Sequence, residues 1–149
     1  MNIAISADHR GAHLYEDITR LIRKLGHEPV PVPTCEGNSC DYPDMAWHAC
    51  SALRDGRAER AILLCGSGIG MSIAANKVRG IRAALVHDEL GAELSRTHND
   101  ANALCLSADM LGQRQIQKIV EKWLDAPFEG GRHARRVRKI HAIERDEDP

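Results

Sequence analysis

Leu63-Leu64-Cys65-Gly66-Ser67-Gly68-Ile69-Gly70-Met71-Ser72-Ile73-Ala74-Ala75-Asn76-Lys77 takes an apolar run into a thiol, through three glycines and on into helix-forming residues. Ala61 to Leu64, with Ile62 β-branched, reads as a strand buried on both faces, the pattern of a parallel sheet. Glycines without Cβ let the main chain turn tightly and bring its N–H groups close to a ligand. Such a loop ahead of a helix N-terminus attracts anions. Cys65 falls at the carboxyl end of the strand, where open parallel sheets bind their ligands.

Two well-known phosphate loops fit this stretch poorly. No Gly-Lys-Ser/Thr follows at the Walker A spacing. The dinucleotide fingerprint has Gly66-x-Gly68, and Asp88 lies about 20 residues on, but Met71 stands where its third glycine belongs. A tight strand-to-helix turn with no chemistry is the plain structural alternative.

The rest of the composition frames this loop. The 149 residues suit one domain with a real core. Apolar residues make up 43% and aromatics only 3%, so that core must be built from Ala, Val, Ile and Leu. A formal net charge of −1 offers no global field for nucleic acid or an anionic membrane. No apolar run approaches the roughly 18 residues of a membrane span, and Met1-Asn2-Ile3 opens no signal-peptide pattern. The expectation is a soluble cytoplasmic protein. Cys35, Cys40, Cys50, Cys65 and Cys105 are odd in number and lack CxxC spacing, so they are expected to be reduced, with neither a disulfide framework nor a zinc site.

Strands and helices alternate along the chain. Asn2 to Ala7 reads as a strand, followed by the loop Asp8-His9-Arg10-Gly11. Leu14, Ile18, Leu21, Ile22 and Leu25 recur at helical spacing, and Gly26 ends that helix. Glu28 to Val32 reads as a second strand weakened by prolines, and Pro33 to Asp41 as a surface loop. Tyr42-Pro43 opens a helix with Met45, Ala46, Ala49, Cys50 and Leu53 on one stripe. After the glycine loop, Arg82 to Val86, Asp88 to Thr97 and Ala103 to Ser107 read as strand, helix and strand. Ile116, Ile119, Val120, Trp123 and Leu124 mark a strongly amphipathic helix. Five strands alternating with helices predict a parallel sheet covered on both faces, with right-handed crossovers.

The last helix, from Gly130 to Ile140, has a thin apolar stripe of Ala134, Val137 and Ile140. Arg132, Arg136 and Lys139 share another face. A run of this kind is usually a solvated face, but arginine's planar fork also suits phosphate. Other polar groups gather where strands end: Asp8 and His9 after the first, Cys65 after the third, His87-Asp88 after the fourth, and His98-Asn99-Asp100 ahead of the fifth. A thiolate beside a helix N-terminus has its charge favoured, so Cys65 suits a nucleophile or a base as well as a small core side chain.

Asp8-His9-x-Gly11, Asp41-Tyr42-Pro43, Cys65-Gly66-Ser67-Gly68-Ile69-Gly70, Ala74-Ala75-Asn76-Lys77, Gly80-Ile81-Arg82-Ala83, His98-Asn99-Asp100-x-Asn102 and Gly130-Gly131-Arg132-His133 with Arg136 together resemble ribose-5-phosphate isomerase type B. The likeness runs in order over almost the whole chain. It implies a Rossmann-like three-layer α/β sandwich with a five-stranded parallel sheet, no cofactor, no metal, and assembly as a homodimer or dimer of dimers. It also implies that the C-terminal helix, about residues 132–145, packs on the partner subunit. The wider family includes galactose-6-phosphate and allose-6-phosphate isomerases.

The resemblance also assigns roles. Cys65 would be the base that moves a proton between C1 and C2 of the open-chain sugar phosphate, through a cis-enediolate. The loop Gly66, Gly68, Ile69 and Gly70, with Asn99, would stabilise the developing oxyanion. Ser67 would relay a proton to oxygen, and His98 would open the furanose ring with Tyr42 nearby. Asp8 would orient hydroxyls, while His9, Arg132 and Arg136 would hold the phosphate. His98 and Asn99 would reach in from the partner. Ribose 5-phosphate is the expected substrate; allose 6-phosphate, galactose 6-phosphate, a tetrose phosphate, or phosphosugar binding without catalysis are the alternatives. Thiol hydrolysis by Cys65 and His98 is a more distant reading.

One position departs from the family pattern. Many relatives carry a phosphate-binding arginine where this chain has Asp109, in Ser107-Ala108-Asp109-Met110. An acid there repels phosphate unless it is neutralised. Arg10, beside the Asp8-His9 pair, is the candidate to supply the missing charge or to pair with Asp109.

Overall fold

The computed structural model describes residues 1–35 and 37–149; Glu36, inside the expected Pro33–Asp41 loop, lies outside the described residues. In chain order the elements are β1 (Asn2–Ala7), α1 (Ala12–Lys24), β2 (Glu28–Val30), α2 (Tyr42–Arg54), β3 (Arg60–Cys65), α3 (Ile69–Ala75), β4 (Ala83–Leu85), α4 (Glu89–Thr97), β5 (Ala103–Ser107), α5 (Gln113–Asp125) and α6 (Gly131–Glu144). The strands form one parallel sheet in the order β2-β1-β3-β5-β4, with Ala7 opposite Leu64 and Cys65 opposite Ser107. Strand order reverses between β1 and β3, so the crevice for a ligand opens beyond their carboxyl ends.

Alternation along each strand divides the core into two layers. Ile3, Ile5, Ile62, Leu64, Leu104 and Leu106 pack with α1, α4 and α5 around the fully buried Trp123. Ala4, Ala61, Leu63, Cys65, Ala103 and Cys105 face α2 and α3, where Ala46, Ala49, Cys50 and Met71 meet them. One face of the sheet therefore carries branched side chains and the other mostly small ones, which brings α2 and α3 close to the sheet. Each buried Ile or Leu contributes about 1.5–3 kcal/mol, and truncating one to Ala costs about 2–5 kcal/mol.

The expected fold class is observed, with trimmed ends. β2 stops at Val30 instead of Val32, because Pro31 and Pro33 have no N–H to continue the ladder. β4 spans only Ala83–Leu85, half-exposed at the sheet's edge. Asp88 caps α4 rather than joining it, its carboxylate accepting from the Gly91 N–H at 2.6 Å. In α6 only His133 and Val137 are buried, and Ile140 of the expected stripe is 41% exposed.

The reading of the cysteines needs correction. Cys35 and Cys40 form a disulfide, while Cys50, Cys65 and Cys105 are free and buried. The Cα atoms of Cys35 and Cys40 lie 5.8 Å apart. Tertiary contacts place Cys35: its N–H is bonded to Ala7 O, and Thr34 Oγ1 to the Ala7 main chain. Among the described residues no helix is long and apolar enough to cross a membrane.

Candidate active site

Cys65 ends β3 with only 3% of its surface exposed, and its Sγ accepts the Gly68 N–H at 3.2 Å. This contact depends on Gly68, which sits at φ 77, a conformation L side chains resist. A Cβ there would also stand 2.4 Å from Leu85 Cδ1 and 3.2 Å from the Leu106 carbonyl carbon. Ser67 Oγ accepts the Ile69 N–H at 3.3 Å, so the loop folds round its own side chains into α3. The Tyr42 ring lies against Gly70: a Cβ at that residue would be 2.6 Å from Tyr42 Cε2.

Neighbouring loops brace this one. The Ala108 N–H donates to Cys65 O at 2.9 Å; Ser107 Oγ and the Asp109 N–H donate to Gly66 O at 2.6 and 3.0 Å. After β1, Asp8 is 4% exposed, and its Oδ1 takes the Arg10 and Gly11 N–H groups at 2.9 and 3.0 Å. One carboxylate oxygen thus shapes the turn, and Oδ2 is left for a ligand. His9 Nδ1 lies 3.3 Å from Cys40 O and 3.4 Å from Cys40 N, which leaves Nε2 for a ligand. Burial pushes the Cys50 thiol up to about 12 and raises that of Cys105 well above the usual thiol range. Both stay protonated beside the sheet, and Cys65 is the thiol that reaches the loop.

Arg10 and Asp109 meet directly over Gly66. Arg10 Nε and Nη2 both lie 2.7 Å from Asp109 Oδ2. That hydrogen bond, and then the charge of Asp109, raise the guanidinium's pKa. Of the two roles the sequence offers Arg10, the pairing with Asp109 is therefore present.

His98, Asn99, Arg132 and Arg136 lie elsewhere. His98 and Asn99 follow α4 and precede β5, at the amino edge of the sheet, whereas Cys65 ends β3 at the carboxyl edge. A strand rises about 3.3 Å per residue, so the two groups are separated by roughly 15 Å within one chain. Tyr42 is with the Cys65 group, against Gly70.

The amino-edge group is rigidly built. Asp100, at φ 47, is held by Arg82 Nη2 at 3.0 Å and by Arg96 Nη1 at 2.8 Å; Arg82 Nε also donates to Asn99 O at 3.0 Å. His98 stacks on His133, with ring centres 4.1 Å apart and planes within 4°. Arg132 Nε donates to His133 Nε2 at 3.4 Å. Burial, His98 and Arg132 lower the His133 pKa, so it is neutral at pH 7 and able to accept that bond. His98, Glu129 and His133 hold ligand atoms within 4.8 Å of one another. The two ring planes run parallel, so their nitrogen lone pairs do not converge on one point, and the trio is not a ready chelate for a metal.

The profile of the Ribose/Galactose Isomerase family matches residues 3–140. The chain belongs to that family. It is accordingly an aldose-ketose isomerase of the type B ribose-5-phosphate isomerase kind. It is 41% identical over 142 residues to ribose-5-phosphate isomerase B of Escherichia coli, covering 95% of each chain. It is 42% identical over 150 residues to D-erythrulose-4-phosphate isomerase of Pectobacterium atrosepticum, covering 99% of this chain and 97% of the relative. Ribose-5-phosphate isomerase B of Clostridium thermocellum superposes with a TM-score of 0.93 at 44% identity, over 98% of this chain and 99% of that one.

Sequence reasoning did not single out His133 or Glu129 as site residues. Their place beside His98 depends on how α6 docks, which local spacing does not encode. Histidines at 98 and 133, each in a motif of the family pattern, were the available hint.

Proposed function

We propose that this isomerase interconverts ribose 5-phosphate and ribulose 5-phosphate by proton transfer through a cis-enediolate. The observation that carries the reading is Cys65 Sγ beneath the glycine loop with the Gly68 N–H directed at it, a contact that stabilises negative charge on sulfur. The thiolate takes a proton from the carbon beside the carbonyl and returns it to the neighbouring carbon. The hydroxyl proton moves between the two oxygens, with Ser67 as relay. Loop N–H groups and Asn99 stabilise the oxyanion of the enediolate, the species that differs most in charge from the substrate.

The working site is assembled from two copies of the chain. Asp8, His9, Tyr42, Cys65 and the loop come from one copy; His98, Asn99, Arg132 and Arg136 come from the other. The roughly 15 Å between the two groups within one chain supports this division. So does the groove beside edge strand β4, lined by Ala84, Asn99, Ile140 and Ile143. Leu90, Leu94, Ile140 and Ile143 are exposed in the single chain, which suits burial against a second copy. In the assembled site His98 protonates the ring oxygen of the furanose, and the arginines take the phosphate.

A tetrose phosphate is the second reading, favoured by the 42% identity to the erythrulose-4-phosphate isomerase of Pectobacterium atrosepticum. Turnover on ribose 5-phosphate, allose 6-phosphate, galactose 6-phosphate and erythrulose 4-phosphate, with chelator present, separates the two. The expected result is conversion of ribose 5-phosphate, reduced about a thousandfold or more in Cys65→Ala with phosphate affinity nearly intact. Preference for erythrulose 4-phosphate selects the second reading, and a fully active Cys65→Ala removes Cys65 from the mechanism.

A further inference from the structure

We propose that Arg10 is a phosphate ligand of the Cys65 half of the site and that Asp109 is the residue that positions it. The proposal rests on the isomerase reading and deepens it, since it names the cation this half supplies to the substrate's phosphate.

Three observations carry the assignment. First, Arg10 is adjacent to His9, whose Nδ1 is occupied by the Cys40 main chain and whose Nε2 is left over. The two side chains leave the same turn, which Asp8 Oδ1 shapes through the Arg10 and Gly11 N–H groups. Second, the guanidinium meets Asp109 through one edge only. Nε and Nη2 converge on Oδ2, and among the described residues nothing bonds to Nη1. Five N–H donors in a fixed fork suit two partners at once, one carboxylate and one phosphate.

Third, the pair lies on the loop's own backbone. A Cβ on Gly66 would stand 2.8 Å from Asp109 Oδ2 and 2.9 Å from Arg10 Cδ and Nε. A side chain at residue 66 would press on the flexible ends of both partners, so glycine leaves them room to lie on the loop. Both side chains are exposed, 58% for Arg10 and 40% for Asp109, so a ligand has access to the free edge of the guanidinium. Asp109 is itself set by its N–H on Gly66 O, so the carboxylate, the guanidinium and the loop form one unit.

Two roles for Arg10 make different predictions. If it only cancels the charge of Asp109, removing both residues restores phosphate binding. If it touches phosphate, removing both leaves binding weak. Calorimetric binding of inorganic phosphate to the intact full-length protein reads this without turnover, so failure of the isomerase reading does not masquerade as failure of this one. Arg10→Ala is expected to weaken phosphate by at least about tenfold, the worth of one charged hydrogen bond. Arg10→Ala/Asp109→Asn is expected to remain at least about fivefold weak, and Arg10→Lys, which keeps charge but not the fork, to recover only part. Asp109→Ala is expected to weaken phosphate about threefold, while Asp109→Asn, which keeps an acceptor for the guanidinium, stays nearer wild type. With an active substrate these changes are expected in KM and not in kcat. Wild-type affinity in Arg10→Ala or in the double variant overturns the Arg10 assignment, and wild-type affinity in Asp109→Ala overturns the positioning role. A wild-type protein that binds no phosphate overturns both.

Discussion

The imidazole of His98 lies flat on that of His133, ring centres 4.1 Å apart and planes within 4°. Two imidazoles this close resist carrying a positive charge together, and Arg132 and Arg136 add to the repulsion. Burial is the largest cause of the lowered His133 pKa; Glu129, 3.6 Å from Nε2, opposes it.

Burial of His133, and then the charge of the stacked His98, set a pH dependence of stability. The unfolded chain protonates histidine near pH 6.5 while folded His133 does not, so the unfolded state binds more protons as pH falls through that value. Stability therefore drops as pH falls below about 6.5. His27, its pKa also lowered by burial and by the N-terminal ammonium, acts in the same direction. Melting temperatures from pH 7 to pH 5 are expected to fall less steeply in His133→Gln than in wild type. Equal slopes would locate the dependence elsewhere.

Opposite placement of Cys65 and His98 makes a mixing experiment decisive. If the site is shared between two copies as proposed, the Cys65→Ala and His98→Asn proteins are each expected to be inactive on closed-ring ribose 5-phosphate. Dissociated and reassociated together in equal amounts, half the dimers are mixed, and each mixed dimer has one site with both residues intact. Activity should return to about a quarter of wild type, as the symmetry of a two-fold interface requires. No recovery, in dimers shown by mass to be mixed, would place both residues in one chain's site.

The Cys35–Cys40 bridge restrains the segment that holds His9. By the loop-closure relation a disulfide closing so short a loop stabilises the fold by about 2 kcal/mol. Its reduction frees Cys40, whose main chain meets His9 Nδ1. A dithiol reductant, or Cys35→Ser/Cys40→Ser, is expected to lower the melting temperature and raise KM severalfold with little change in kcat. Steady-state kinetics with and without reductant check this, and an unchanged KM would separate the bridge from substrate binding.

Gly68→Ala tests the loop itself. A left-handed φ costs an alanine about 1–2 kcal/mol, and the added Cβ would collide with Leu85 Cδ1 at 2.4 Å. Overpacking of this kind adds about 1–3 kcal/mol. Denaturant unfolding is expected to show a loss of at least about 2 kcal/mol, with kcat falling because the N–H on Cys65 Sγ moves. Full stability with full activity would mean the loop adapts freely.

Much of the molecule was legible in one dimension. Strand and helix periods are local, so Ile62 and Leu64, Leu104 and Leu106, or Ile116, Val120 and Trp123 declare their faces without a partner in view. The glycines from 66 to 70 announce a tight approach because no other residue leaves the main chain so bare, and Cys65 must then close the strand before them. Family likeness extended this to named roles, as far as residues in matching motifs allow.

The remaining features needed the fold. Arg10 and Asp109, 99 positions apart, were candidates to pair through the family likeness alone, and the order β2-β1-β3-β5-β4 decides between their two expected roles by bringing the loops after β1 and β5 together across the end of β3. The Cys35–Cys40 bridge forms because Thr34 and Cys35 are tied to Ala7, a contact no spacing rule anticipates. His98 lies far from Cys65 because every strand of a parallel sheet runs the same way, so a residue ahead of β5 and a residue at the end of β3 stand at opposite edges. Sequence alone determined which elements form and where the thiol sits. The tertiary structure decided which charges meet and that one chain holds only half of the expected set at each edge, because sheet order and docking angles are sums over many contacts that no short stretch contains.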